Sequence, residues 1–235
     1  MATFCAKTIA QKNTRSAGKA KKYYPGHMII KPIVYTCNIG QYDDMQPLSA
    51  RAVEAYDLTE TCDELHPDPR MQARFVKFHP HVVIPRTIQK ENRYAIWKDA
   101  NIDVYDGLFE SFQLFINSGS AIGVHNHEHR STLYEEFLAV LHLKIPKGSA
   151  QTTWQQAQHY SSALLQPVFE TGIVFFDTQH PMLHPIATRL WSELRRWGPR
   201  DQLALTKVLH DVSYEPFVIG PAIRANPYLQ LRRHK

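Results

Sequence analysis

Cysteine is scarce in this 235-residue chain: only Cys5, Cys37 and Cys62 occur, with no Cys-x-x-Cys spacing. An odd number without paired spacing argues against a disulfide framework and a cysteine-based zinc site, and it fits a reducing compartment. Long apolar runs are also missing, since none approaches the ~20 residues that a membrane helix needs. The first ten residues are too short and too polar for a secretory signal, so the expectation is a cytoplasmic protein. Neither zinc-finger spacing nor an aromatic-basic ribonucleoprotein motif is found, so nucleic acid is not an expected partner despite a formal charge of +5. No internal repeat is visible either, which favours a single α/β domain.

The composition that remains is ordinary for a folded protein, with 43% hydrophobic and 21% charged residues. The basic excess gathers partly at the ends, in Lys19, Lys21 and Lys22 and in Arg232, Arg233 and Lys235. Residues 10–26 are polar and lack any apolar period, so residues 1–27 read as a flexible basic arm and residues 28–235 as the domain. The first strand is expected in the β-branched run Ile29 to Cys37, leading into a polar loop through Gly40 to Asp44. In an open α/β sheet such a loop lies where ligands bind, off the carboxyl ends of the strands.

Tyr94-Ala-Ile-Trp-Lys-Asp99-Ala-Asn101-Ile-Asp103 joins a short apolar run to clustered oxygen-bearing side chains. That pattern suits a buried strand delivering Asp99, Asn101 and Asp103 to a sheet edge where a hard cation and a phosphate bind. It also suits an ordinary strand-to-turn junction, since Asp and Asn bond local backbone. Arg74 and Lys77, three apart on a helix expected over 70–78, share one face, either as a diphosphate clamp or as a solvated surface. Further helices are expected at 108–115, from Ser131 or Thr132 with Glu135 in a capping arrangement, at 153–165, at 186–196 and at 203–209.

Three further features carry chemistry. His125, His127 and His129 alternate and would share a face if extended, which is the arrangement of a transition-metal hydrolase site. Glu170 interrupts an apolar run, where a carboxylate is costly to bury without a partner and would be a candidate base. Gly172 in the same run suggests close backbone approach. Asp201 opens a helix and could act as its cap, catalytically, or both.

The ordered set Tyr35-Thr36 to Tyr42-Asp43, Arg74 to Lys77, Tyr94 to Asn101, His127 to Arg130 with Tyr134-Glu-Glu136, Glu170 to Gly172, and Arg200-Asp201-Gln202 resembles a plant-type, mucilage-related glycosyltransferase-like family. The likeness spans residues 33–209. It implies a GT-A-like open mixed sheet flanked by helices, a nucleotide-sugar donor, a glycan or other hydroxyl acceptor and a divalent cation, manganese or magnesium. It further implies donor contacts from Tyr35, Thr36, Tyr42, Arg74, Lys77 and Arg130, a cation held by Asp99 with Asn101 and Asp103, and catalytic roles for Asp201, Glu170 and His127. Asn101 stands where many transferases have a second Asp, which implies a weaker cation site. A metal-dependent hydrolase using His125, His127 and His129, and a catalytically silent sugar-nucleotide-binding protein, are the competing readings.

Overall fold

The computed structural model describes residues 30–41, 43–46, 48–50, 53, 55–60, 66–142 and 150–232. The expected arm over 1–27, and Tyr42 with its donor role, lie outside them.

Six strands form one mixed sheet in the order β2-β1-β3-β6-β5-β7. The strands are β1 (Ile33–Thr36), β2 (Ala55–Asp57), β3 (Tyr94–Lys98), β5 (Ile122–Asn126), β6 (Phe169–Asp177) and β7 (Phe217–Val218). β1 runs parallel to β2 and β3, while β6 lies antiparallel between β3 and β5. A separate pair joins β4 (Ile102–Val104) to β8 (Leu229–Leu231). Because successive strand residues face opposite sides, the apolar runs fill two layers at once. Ile33, Tyr35, Trp97, Val174 and Phe176 meet α1 (Pro69–Phe78), α7 (Leu183–Trp197) and α8 (Asp201–Asp211) on one face. Val34, Ile96, Ile173 and Phe175 meet α4 (Leu108–Ser118) and the β4–β8 pair on the other. The expected mixed sheet flanked by helices is the observed architecture.

Local signals explain the element boundaries. Pro69 at the first helical position and Asp68, whose Oδ1 accepts the Arg70 amide at 2.9 Å, start α1. Gly119, with φ of 67°, ends α4 in the left-handed region. At the start of α5 (Leu133–His142), Thr132 Oγ1 accepts the Glu135 amide while the Glu135 carboxylate accepts the amides of Ser131 and Thr132. This is the expected reciprocal cap. The helix expected over 153–165 is instead α6 (Ala150–His159) followed by a 3₁₀ turn, Ser161–Ala163.

Two departures bear on the site. The acidic motif is a tight turn that passes straight into a strand: Ile102 donates back to the Asp99 carbonyl at 3.0 Å, and β4 starts at Ile102 and carries Asp103 with it. Also, Glu170 and Gly172 do not interrupt their strand; β6 is continuous over nine residues, and the irregularity falls on β5 between Gly123 and His125. Since β6 is antiparallel to β3 and β5, its amino end meets their carboxyl ends, with Lys98 opposite Ile173 and His125 opposite Glu170.

Phe175 is fully buried, with its ring 5.3 Å from that of Phe112 and 5.6 Å from that of Phe115. Truncation to alanine removes the centre of this aromatic layer, and Phe175→Ala is expected to destabilise the fold by about 3–5 kcal/mol, measured by urea unfolding.

Candidate functional site

The carboxyl ends of β3 and β5, the amino end of β6, α1 and the start of α8 converge on a polar cavity of about 240 Å³. Its wall carries the cations Arg74, Lys77, Arg130, Arg200 and Arg224, the carboxylates Asp99, Glu170 and Asp201, and His127 and Asn101. Five cations against three carboxylates make the wall net positive, which favours an anionic ligand.

Lys77 is the most enclosed of these cations. Its side chain is 1% exposed, and Nζ donates to Asp99 Oδ1 at 3.2 Å and to Asp201 Oδ2 at 2.9 Å. The helix bearing it is fixed from below, because the buried Tyr35 hydroxyl donates to the Lys77 carbonyl at 2.5 Å. Asp99 is oriented by Trp97, whose Nε1 donates to its Oδ1 at 2.7 Å, and by its own amide bond to the Gly172 carbonyl at 2.7 Å. Asp201 also takes Arg74 Nε at 3.2 Å and the Thr171 hydroxyl at 3.0 Å. Burial alone would raise the Asp201 carboxyl, but Arg74 and Lys77 outweigh it and hold the group well below the usual aspartate range.

Glu170 is the opposite case. It is 5% exposed, its Oε2 accepts the Ile223 amide at 2.7 Å, and Arg224 stands at 3.7 Å. Burial dominates there, so its carboxyl is pushed above the ordinary value of 4.5 despite those two favourable contacts. Two acids in adjacent strand and helix positions are thereby driven apart in proton affinity, as acid–base sites require.

Behind the wall, Glu136 is 0% exposed and pairs with both Arg130 and Arg200; the Arg200 Nε contact is 2.7 Å. One buried carboxylate thus positions two cavity guanidiniums. His127 contacts Arg130 through Nε2 and accepts the His129 amide through Nδ1 at 3.1 Å. Burial, then the nearby Arg130 and Arg200, lower its pKa to about 4, so it is neutral near pH 7.

Several expectations are corrected by these placements. Tyr35 is a core residue stacked edge-on against Trp97, with its hydroxyl occupied, so it is not available to a donor. Thr36 is buried at the end of β1 and does not line the cavity. Asp103 is turned away because β4 carries it to the 46–50 loop, where its carboxylate accepts the Ser49 amide and hydroxyl at 2.9 and 2.6 Å and the Val104 amide. Asp201 does not cap α8; Arg200 holds the cap position and the Asp201 carboxylate faces the cations. The three alternating histidines do not converge: His125 is buried with Nδ1 on the Pro221 carbonyl, His127 faces Arg130, and His129 is 64% exposed. Arg74, Lys77, Asp99, Asn101, His127, Arg130, Glu170 and Asp201 are brought together, in a cavity that also recruits Arg200 and Arg224. Glu136 belongs to the Tyr134-Glu-Glu136 part of the motif set, but its role as counter-ion is not readable there, since Arg200 lies 64 positions away.

A divalent cation needs several oxygen ligands arranged around one point. Asp103 is committed elsewhere, the Asn101 amide donates to the Arg232 carbonyl at 2.9 Å, and Asp99 Oδ1 already receives two donors. Among the described residues no group of three His, Cys, Asp or Glu side chains could hold a metal ion. The residues present therefore do not fit a preformed cation site.

Residues 35–220 match the family model described as TOD1/MUCI70, glycosyltransferase-like domain. The chain belongs to this family. The match covers every cavity residue except Ile223, Arg224 and Leu231, so the site lies almost wholly within the family's domain. Among solved structures, the apo form of mouse xyloside xylosyltransferase 1 superposes with a TM-score of 0.46 at 13% identity, covering 80% of this chain and 85% of that one. The apo WbbM bifunctional glycosyltransferase gives 0.45 at 9% identity; 83% of this chain is covered, but only 39% of that one. No curated protein matches the chain. No helix among the described residues is long and apolar enough to cross a membrane.

Two outcomes follow for the buried charges. Glu136→Gln leaves Arg130 and Arg200 without their shared counter-ion, and a loss of about 3–5 kcal/mol in urea unfolding is expected, the usual effect of breaking a buried pair from one side. Asp201 has a folded-state pKa below its ordinary 3.8, so it stabilises the fold fully above that pH, and the contribution is lost as the pH falls below it. Asp201→Asn should accordingly lower stability at pH 7 and flatten its decline between about pH 4 and 2, as followed by circular dichroism.

Proposed function

We propose that the cavity binds a nucleoside diphosphate sugar and transfers the sugar to a hydroxyl of a glycan or glycoconjugate. The observation that carries this reading is the ring of five cations around a cleft at the strand ends, with one raised carboxyl beside it, in a glycosyltransferase-like domain. Arg74, Arg130, Arg200 and Arg224 are donors suited to the oxygens of a diphosphate, since guanidinium groups match phosphate in charge and planar geometry. They would also neutralise the charge that develops on the departing diphosphate.

Acceptor activation falls to Glu170. A general base works best with a pKa moved toward the operating pH, and Glu170 is shifted that way while Asp201 is shifted the other. Glu170 takes the proton of the acceptor hydroxyl as that oxygen bonds the anomeric carbon. The bond from that carbon to the diphosphate oxygen breaks, and its electron pair leaves with the nucleotide. This single displacement inverts the anomeric configuration. Asp201, held ionised between Arg74 and Lys77, is the electrostatic anchor, and neutral His127, with Nε2 against Arg130, helps to position that guanidinium. The hydrolase reading has no geometric support, because its histidines point to three different partners.

Calorimetry and product analysis with a panel of nucleotide sugars test the proposal. Binding of at least one nucleotide sugar is expected, with turnover rising with pH as Glu170 loses its proton. In Glu170→Gln turnover should drop about 10²–10⁴-fold, with the ascending limb lost and donor affinity retained. Absence of binding for the whole panel would sink the reading.

A further inference from the structure

We infer that the Lys77 ammonium takes the place of a divalent cation at the acidic motif, so that this transferase binds its nucleotide diphosphate without metal. The inference rests on the donor reading above and departs from the cation that the motif's resemblance implies.

Nζ of Lys77 stands between two carboxylates of the cavity wall, 3.2 Å from Asp99 and 2.9 Å from Asp201. With Arg74 on Asp201 at 3.2 Å, two fixed positive charges face two carboxylates, the same balance that a divalent ion held by both acids would give. The side chain has no room to yield: it is 1% exposed, and Nζ lies 5.5 Å from the Phe78 ring centre and 5.7 Å from that of Trp97. A metal entering here would meet an Asp99 whose Oδ1 already holds the Lys77 and Trp97 donors, which leaves Oδ2 as the carboxylate oxygen open to it. Of the other motif residues, Asp103 is bound to Ser49 and Asn101 is held through its Nδ2 on the Arg232 carbonyl. A tethered ammonium supplies charge without proton or exchange chemistry, and in a buried setting it acts on a phosphate as strongly as the local dielectric allows.

Two titrations of the full-length protein decide the matter. In the first, Mn²⁺ alone is added to wild type and to Lys77→Met, which keeps the stem volume and removes the charge, and free Mn²⁺ is counted by electron paramagnetic resonance. Wild type should bind none stoichiometrically, and Lys77→Met should gain a site that Asp99→Ala removes. In the second, uridine and guanosine diphosphates are titrated into wild type in EDTA and in Mn²⁺. The better ligand should show affinities within about threefold of each other. Stoichiometric Mn²⁺ on wild type that Asp99→Ala abolishes, or a loss of about tenfold or more in EDTA, would overturn the inference. If neither diphosphate binds in either buffer, the donor reading falls, and the first titration still decides the role of Lys77. Should Lys77→Met fail to fold, the wild-type Mn²⁺ count decides alone.

Discussion

The arrangement of the cavity depends on one buried ammonium. Asp99 ends a strand and Asp201 begins a helix, and two ionised carboxylates brought together beneath a protein surface repel and lose hydration. Lys77 binds both, and in doing so joins α1, the end of β3 and the start of α8, which are 22 and 124 positions apart in the chain. Its desolvation is itself costly, several kcal/mol per ion by general experience, so the gain is in specificity more than stability. The surrounding groups remove the freedom that would waste it: Tyr35 pins the Lys77 carbonyl, Trp97 holds Asp99, and Thr171 and Arg74 hold Asp201.

The same device recurs one layer out. Glu136 has no access to the cavity, yet it decides where Arg130 and Arg200 present their planes. Cations on flexible stems would otherwise have to be ordered when a ligand arrives, an entropic cost that weakens binding. The buried Glu136 behind these half-buried cations settles that ordering during folding. Glu170 is the exception: Arg224 stands 3.7 Å from it and its Oε2 accepts the Ile223 amide, yet burial still raises its carboxyl above the ordinary value.

Much of this fold is legible in the chain because its signals are local. The apolar runs at Ile33 to Thr36 and Tyr94 to Lys98, the cap at Thr132 and Glu135, and the helix over 70–78 each need only neighbours, and each is found, α1 starting one residue earlier at Pro69. Arg74, Lys77, Asp99, Glu170 and Asp201 are legible as an ordered set and do share one cavity. Asp103 and Tyr35 are misread for a common reason: which way a side chain points is fixed by strand register. β4 and its pairing with Leu229 to Leu231 are invisible in three residues, and so is the closing of Tyr35 onto Lys77. The roles of Arg224 and Glu136 are missed because the pairs with Glu170 and Arg200 join residues far apart in the chain.

Asn101 and Arg232 are linked twice, amide to carbonyl in both directions, across 131 residues. The far end of the described chain is therefore part of the cavity wall, with Leu231 lining it and β8 bonded to β4. Contacts of such separation close a large loop and are among the last entropic costs met in folding. While the chain is being synthesised, Asp99 and Lys77 emerge long before the segment that completes their surroundings, so the cavity wall closes only after nearly the whole domain has been made.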